Sequence, residues 1–292
     1  MARCCSKQAI FVMNYVVAVS GGVDSMVLLD MIINNKIELS DKRTVIVAHF
    51  DHGIRADSAA DARFVEGVAR THGLPFEMRR EELGAATSEA MARERRYMFL
   101  RNVAAKHKAI IVTAHHINDL VETVAINLKR GTGWRGLAVL NSKDVIRPLL
   151  GMTKDTIYTY ALANSIEWVE DESNKSNKYY RNRVRKVLQV IPYEYAEKVA
   201  NLRSAQVHVA SEIDKEIELL SSLWKCRRYP YRMADEASAI EVLRAQCQAR
   251  LTRPRLRALL LAIKTAKAGT KFEAGSGVLI HFSLDEFSIT VV

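Results

Sequence analysis

The chain has only four cysteines among its 292 residues, and their placement excludes the common cysteine chemistries. Cys4 and Cys5 are adjacent, while Cys226 and Cys247 stand alone, so no pair has the C-x-x-C spacing of a metal or redox site. A reducing cytoplasm is the expected setting. Glycine (13) and proline (5) are also scarce, which excludes a collagenous or low-complexity chain. No run reaches the ~18 apolar residues of a membrane span. The stretch most like a leader, Ala9 to Val19, is broken by Asn14 and runs straight into a glycine turn, so it reads as a buried strand. Three chemical motifs are missing as well. There is no G-K-[ST] of a Walker loop, no G-x-G-x-x-G dinucleotide fingerprint at the glycine turn after the first strand and no G-x-S-x-G nucleophile elbow.

What is present is an ordered, helix-rich composition, 49% hydrophobic and 26% charged, in a chain long enough for two domains. The net charge of +10 favours a polyanionic partner, since Lys and Arg concentrate phosphate-bearing ligands around a surface. The excess is uneven. Residues 175–186, KSNKYYRNRVRK, hold six cations and no acid, and the tyrosines 179 and 180 among them turn a merely solvated face towards RNA. Arg250, Arg253, Arg255 and Arg257 form a second cluster.

From Tyr15 onward, short apolar runs alternate with longer amphipathic ones, the pattern of a Rossmann-like α/β fold with a parallel sheet covered by helices. The strands expected are 15–19, 44–49, 75–79 and 109–113. The helices expected are about 25–34, 58–72, 88–106 and 118–129. After Pro192 strand periodicity stops for about 80 residues, which sets a boundary near 190 between a catalytic domain, 1–190, and a smaller, mainly helical domain, 191–292. Two apolar runs, 278–282 and 287–292, can close a terminal hairpin.

The most informative segment is the strand ending in Ser20-Gly21-Gly22-Val23-Asp24-Ser25 and opening a helix. Paired glycines bring backbone N–H groups close to phosphate oxygens, the serines add hydroxyl donors, and the helix start adds its positive dipole end. Asp24 would repel phosphate unless Mg²⁺ bridges it to the nucleotide. Without a Walker lysine, the loop resembles that of the N-type ATP pyrophosphatases (the PP-loop superfamily), which implies cleavage between the α and β phosphates and transfer of AMP. Asp119 and Glu122, three apart at a helix start, place both carboxylates on one face, where they can hold an ammonium group or a metal. His115 and His116 are neighbours and cannot readily ligate one zinc ion.

Seven segments in order, SGGVDS, HFDHGIR, SEAMARERRY, TAHHINDLVET, LKRGTGWRGL, RPLL and DESNKSNKYYRNRVR, resemble the signature series of the tRNA(Ile)-lysidine synthases across residues 15 to about 188. The resemblance implies a ligase that adenylates the wobble cytidine of the CAU-anticodon isoleucine tRNA at C2 and lets free L-lysine displace AMP. It implies ATP contacts from Ser20 to Ser25 and Mg²⁺ at Asp24. Asp119 and Glu122 would take lysine's amino groups, and Arg93 and Arg96 would be cations near the reacting centre, with Asp24 and Asp119 counted among the catalytic groups. Surface ion pairs with Glu89 or Glu94 are the plain alternative for the two arginines. Arg130, in the loop Arg130-Gly131-Thr132-Gly133, with Tyr179, Arg181, Asn182 and Arg185, would contact tRNA. The partners implied are that tRNA and lysine, with a homodimer left open and no membrane. Leu140 and Glu172 depart from the pattern without touching the proposed chemistry. The segment from 191 is short for the family, which leaves acceptor-stem recognition open. A tRNA thiolase, which would need sulfur-carrying cysteines, and a non-catalytic RNA-binding protein are the rival readings. Met13 stands just before the first strand, and residues 1–12 are expected to be dispensable.

Overall fold

The computed structural model describes residues 13–39, 42–53, 58–84, 87–170, 180–188 and 192–291, without the side chains of residues 42, 43 and 182. The chain divides into two units, Met1–Val207 and His208–Val292.

The first unit runs β1 (Met13–Ala18), α1 (Val23–Ile33), β2 (Lys42–Asp51), α2 (Ser58–Thr71), β3 (Phe76–Arg80), α3 (Glu89–His107), β4 (Ala109–Val112), α4 (Ile117–Lys129), β5 (Val145–Ile146), α5 (Lys154–Ala163) and α6 (Tyr180–Leu188). α7 (Tyr193–Trp224) follows and belongs to this unit up to Val207. All five strands are parallel, in the order β3-β2-β1-β4-β5. Valine and isoleucine dominate the inner strands because both faces are covered. Tyr15, Val17 and Val45 enter one core with Leu29 and Ile32 of α1, Val65 of α2 and Ile157 of α5. Val16, Ile46 and Ile111 face the other way, against Tyr97, Leu100 and Val103 of α3.

The expected strands and helices of this unit are present, with ends shifted by a residue or two, as helix and strand termini commonly are. β5 is an addition. Two residues long, it shows no periodicity by itself and is defined by its pairing with β4 at Ile111 and Val112. α3 starts where its sequence says it should, since Ser88 accepts a hydrogen bond from the Met91 amide at 3.2 Å, an N-cap worth about 1 kcal/mol.

The second unit carries the rest of α7, then α8 (Arg228–Met233), α9 (Glu236–Gln246) and α10 (Arg253–Thr265), followed by β6 (Lys271–Gly275), β7 (Val278–Phe282) and β8 (Phe287–Val291). The expected hairpin is the β7–β8 pair, and β6 joins it to make a three-stranded antiparallel sheet. Leu243, Leu256, Leu259, Val278 and Ile280 form its core. Arg228, 2% exposed, donates to the carbonyls of Ile263, Ala266 and Ser283, satisfying the end of α10 and the β7–β8 turn with one guanidinium. Such a buried cation is tolerated because its donors are matched by carbonyl oxygens.

Candidate active site

Strand order reverses at β1, which has β2 on one side and β4 on the other. In open α/β sheets the crevice beyond the carboxyl ends of the strands at such a point is where ligands sit. A cavity of about 560 Å³ lies there, lined by the loop after β1 (Ser20, Gly22, Asp24, Ser25), the end of β2 (His49 to His52), α3 (Arg93, Arg96) and the turn after β4 (Thr113 to His115, Asp119). Arg181 and Arg185 of α6 close another part of its wall.

The loop after β1 has the shape its glycines permit. Gly21 has φ +91, a conformation that L side chains rarely adopt, and Val169 donates its amide to the Gly21 carbonyl at 2.9 Å. Gly22 is the N-cap of α1, with no side chain capping the helix, so the first amides of α1 suit an anion. The serines bond to the loop itself. Ser25 Oγ donates to the Gly22 carbonyl at 2.8 Å, accepts from the Ser20 amide at 3.1 Å and lies 3.3 Å from Ser20 Oγ. The cradle is held in shape by its own hydroxyls.

Asp24, in the first turn of α1, is gripped by a residue that no motif announced. Lys154 Nζ donates to both Asp24 carboxylate oxygens, at 2.6 and 2.7 Å. His116 Nε2 lies 3.8 Å from Asp24 and 3.5 Å from Asp119, and the buried His116 Nδ1 has no hydrogen-bond partner among the described residues. The adjacent histidines diverge, with His115 Nδ1 2.8 Å from Thr113 Oγ1. Among the described residues no group of three His, Cys, Asp or Glu side chains could hold a metal.

Asp119 and Glu122 do share a face of α4, and their charge is met by α6. Arg185 Nε donates to Glu122 Oε1 at 2.6 Å and Arg181 Nε to Oε2 at 3.0 Å, while both guanidinium groups stand 3.6–3.7 Å from Asp119. Glu122 is 2% exposed and lies behind Asp119, which is the member of the pair that reaches the cavity. Burial pushes the Asp119 pKa up, but His116, His115 and Arg181 outweigh it and hold the carboxyl below its ordinary value. Burial is also the main cause that pushes His115 down to about 3. His115 is therefore neutral at pH 7, and Arg181 and Arg185 are permanent cations beside Asp119.

Arg93 and Arg96 line the cavity, in place of the surface ion pairs with Glu89 or Glu94 that were the alternative. Both guanidinium groups lie over the Tyr97 ring, at 4.9 and 5.5 Å, and Arg96 Nε is enclosed without a partner among the described residues. An unmatched buried donor of this kind suits an incoming acceptor. His52 shows the same feature at Nδ1, and burial followed by the charge of Arg96 lowers its pKa. Asp51 has a shaping role, accepting from the Gly53 amide and Ser58 Oγ at 2.8 and 3.0 Å to fix the turn after β2.

Of the residues expected at tRNA, Arg181 and Arg185 line this cavity. Arg130 is exposed at the end of α4, away from the cavity lining. Tyr180 is flanked by Lys129 and Arg183 at 5.1 and 5.5 Å. Tyr179, Glu172, residues 1–12 and the Asn182 side chain lie outside the described residues. Leu140 adopts φ +52, and its carbonyl accepts from Arg147 and Arg203 at 3.0 and 2.9 Å.

A family model described as the PP-loop domain matches residues 8–192. The tRNA(Ile)-lysidine synthase of Thermotoga maritima is 42% identical over 181 residues, 59% of this chain and 43% of that protein. The enzyme of the same name from Enterococcus faecalis is 33% identical over 218 residues, 70% of this chain and 46% of that one. The chain thus spans about half the length of the curated relatives it matches. Among solved structures, the U34-tRNA thiolase NcsA from Methanococcus maripaludis, with its 4Fe-4S cluster, superposes with a TM-score of 0.53 at 16% identity, over 69% of this chain and 72% of that one. That likeness is one of fold.

Proposed function

Because this chain belongs to the PP-loop domain family, matched across residues 8–192, we propose that it uses ATP to join free lysine to the wobble cytidine of tRNA(Ile), forming lysidine. The observation that supports this reading is that the Ser20–Ser25 cradle shares one cavity with Arg93, Arg96 and Asp119, so groups suited to a nucleotide and to a second substrate line one space. The identity with lysidine synthases supports the choice of product.

In the first step the cytidine O2 attacks the α-phosphorus, the bond from that phosphorus to the bridging oxygen breaks, and pyrophosphate leaves. In the second, the lysine ε-amine attacks C2, the C2–O bond breaks with AMP as leaving group, and the amine gives up a proton. Ser20 to Ser25 hold the phosphates. Asp24 would hold magnesium together with phosphate oxygens, and the ion would screen their mutual repulsion. Arg93 and Arg96 offset charge developing at the α-phosphate, and an enclosed, unmatched Arg96 Nε is suited to that task. Asp119, the carboxylate of the pair that reaches the cavity, holds an amino group of lysine, while Glu122, expected to share that task, lies buried behind it and keeps Arg181 and Arg185 in place. Arg130, Tyr179, Arg181, Asn182 and Arg185, with the segment 191–292, hold the tRNA, and the reducing cytoplasm is the setting of the reaction. No helix among the described residues is long and apolar enough to cross a membrane.

The test is to incubate the protein with tRNA, ATP and lysine and to analyse both nucleotides and tRNA nucleosides by mass spectrometry. AMP, pyrophosphate and lysidine are expected together. ADP as the main nucleotide product, or AMP without lysidine, would overturn the proposal.

A further inference from the structure

Asp24 and Lys154 are each 31% exposed, and an ion pair so open to water adds little to stability. Its placement is nevertheless fixed from several directions. The Lys154 amide donates to Asn118 Oδ1 at 3.0 Å, Thr153 caps α5 by accepting from the Thr156 amide at 3.0 Å, and the ammonium lies 4.9 Å from the centre of the Tyr158 ring. Six residues further on, Tyr160 Oη donates to Asp30 at 2.9 Å. Asp24 to Lys154 and Asp30 to Tyr160 are matched pairs, six residues apart on each helix, so they align α5 along α1. The register of these two helices decides where the ammonium sits.

That place is beside the phosphate cradle. Asp24 lines the cavity and Lys154 does not, which puts the ammonium at its margin, behind Asp24. Arg93 and Arg96 line the same cavity as Asp24, so on the nucleotide reading the reacting phosphate would face the arginines and the terminal phosphates would face that margin. A carboxylate in the cradle keeps a cation there while the phosphates are absent. Once magnesium and phosphate oxygens engage Asp24, the ammonium, with three donors on a flexible stem, is free to turn to them.

Resting on the nucleotide reading above, we infer that Lys154 is the residue that holds the pyrophosphate end of ATP, and that Asp24 parks its ammonium until the nucleotide arrives. When the α-phosphorus–oxygen bond breaks, the electron pair and the new negative charge go to the departing pyrophosphate. A fixed ammonium there stabilises the charge as it forms. Arginine can replace lysine in this duty, whereas a neutral side chain cannot.

The experiment measures binding, without turnover, by titration calorimetry with ATP, inorganic pyrophosphate and AMP, each in the presence of magnesium. Lys154→Met is expected to weaken ATP and pyrophosphate at least about tenfold, the loss of one charged hydrogen-bond partner, while AMP changes by less than about twofold. Lys154→Arg should return both to within about threefold of wild type. If Lys154→Met binds all three ligands like wild type, or loses AMP as much as ATP, Lys154 is not the pyrophosphate residue. If wild type itself binds neither ATP nor pyrophosphate, the nucleotide reading falls and this inference with it. Should Lys154→Met fail to stay folded, Lys154→Gln, which can still donate to Asp24, serves the same comparison.

Discussion

His115 illustrates how a single side chain can tie stability to pH. Its folded pKa is pushed down to about 3, first by burial, so the folded protein keeps it neutral where the unfolded chain, with a pKa near 6.5, takes up a proton. The unfolded state then binds more protons, and stability falls as pH drops through the window from about 6.5 towards 3, with a slope of up to about 1.4 kcal/mol per pH unit. His115→Gln removes that contribution. Urea unfolding at pH 7, 6 and 5 should show the variant gaining on wild type as the pH falls, and a pH-independent difference would disprove the assignment. Glu122 presents the opposite case, a buried anion between two guanidinium groups. Glu122→Ala leaves both without their main partner and should cost roughly 2–3 kcal/mol, after discounting for the partial exposure of Arg185. Asp119→Asn, at the cavity wall, should instead raise the lysine concentration needed for half-maximal lysidine formation far more than the ATP concentration. Equal effects on both substrates would argue against an amine site.

At the scale of elements, α5 transmits helix register to the phosphate cradle. Thr153→Ala removes its N-cap and should lower stability by about 1 kcal/mol, read as a shift of the urea midpoint with an unchanged slope. An unshifted midpoint would show that packing against α1 alone holds the helix. Sequence periodicity made β1, β2, β3, β4 and the helices between them legible, because Val16 and Val17 or Ile46 and Val47 must be apolar towards both cores. The glycine loop was legible because so few residue types tolerate φ +91 at position 21. Lys154 was not, since its meaning depends on Asp24, which lies 130 residues away in sequence. Nor was the closure of Glu122 by Arg181 and Arg185, which were singled out for their charge and for tRNA. β5 and β6 escaped for a related reason, as short strands are defined by their neighbours and not by their own pattern.

At the scale of the molecule, the two units have separate cores, one around Val17 and Leu29 and one around Leu243 and Leu259. Damage to the second should therefore spare the nucleotide site. Leu243→Ala, at a fully buried position, is expected to cost about 2–5 kcal/mol in the unfolding of residues 208–292 while ATP affinity stays within about twofold. A parallel loss of ATP affinity would show that the units depend on each other.

The central place of β1 in its sheet has a consequence for synthesis. As the chain leaves the ribosome, β2 can pair with β1 and β3 with β2, but the other flank of β1 stays open until β4 has emerged. During that interval a valine-rich edge is a template for strands of other nascent chains. Chains cut after β3 should therefore aggregate, and any pause in translation before residue 112 would prolong the time in which neighbouring ribosomes on one message can entangle their products.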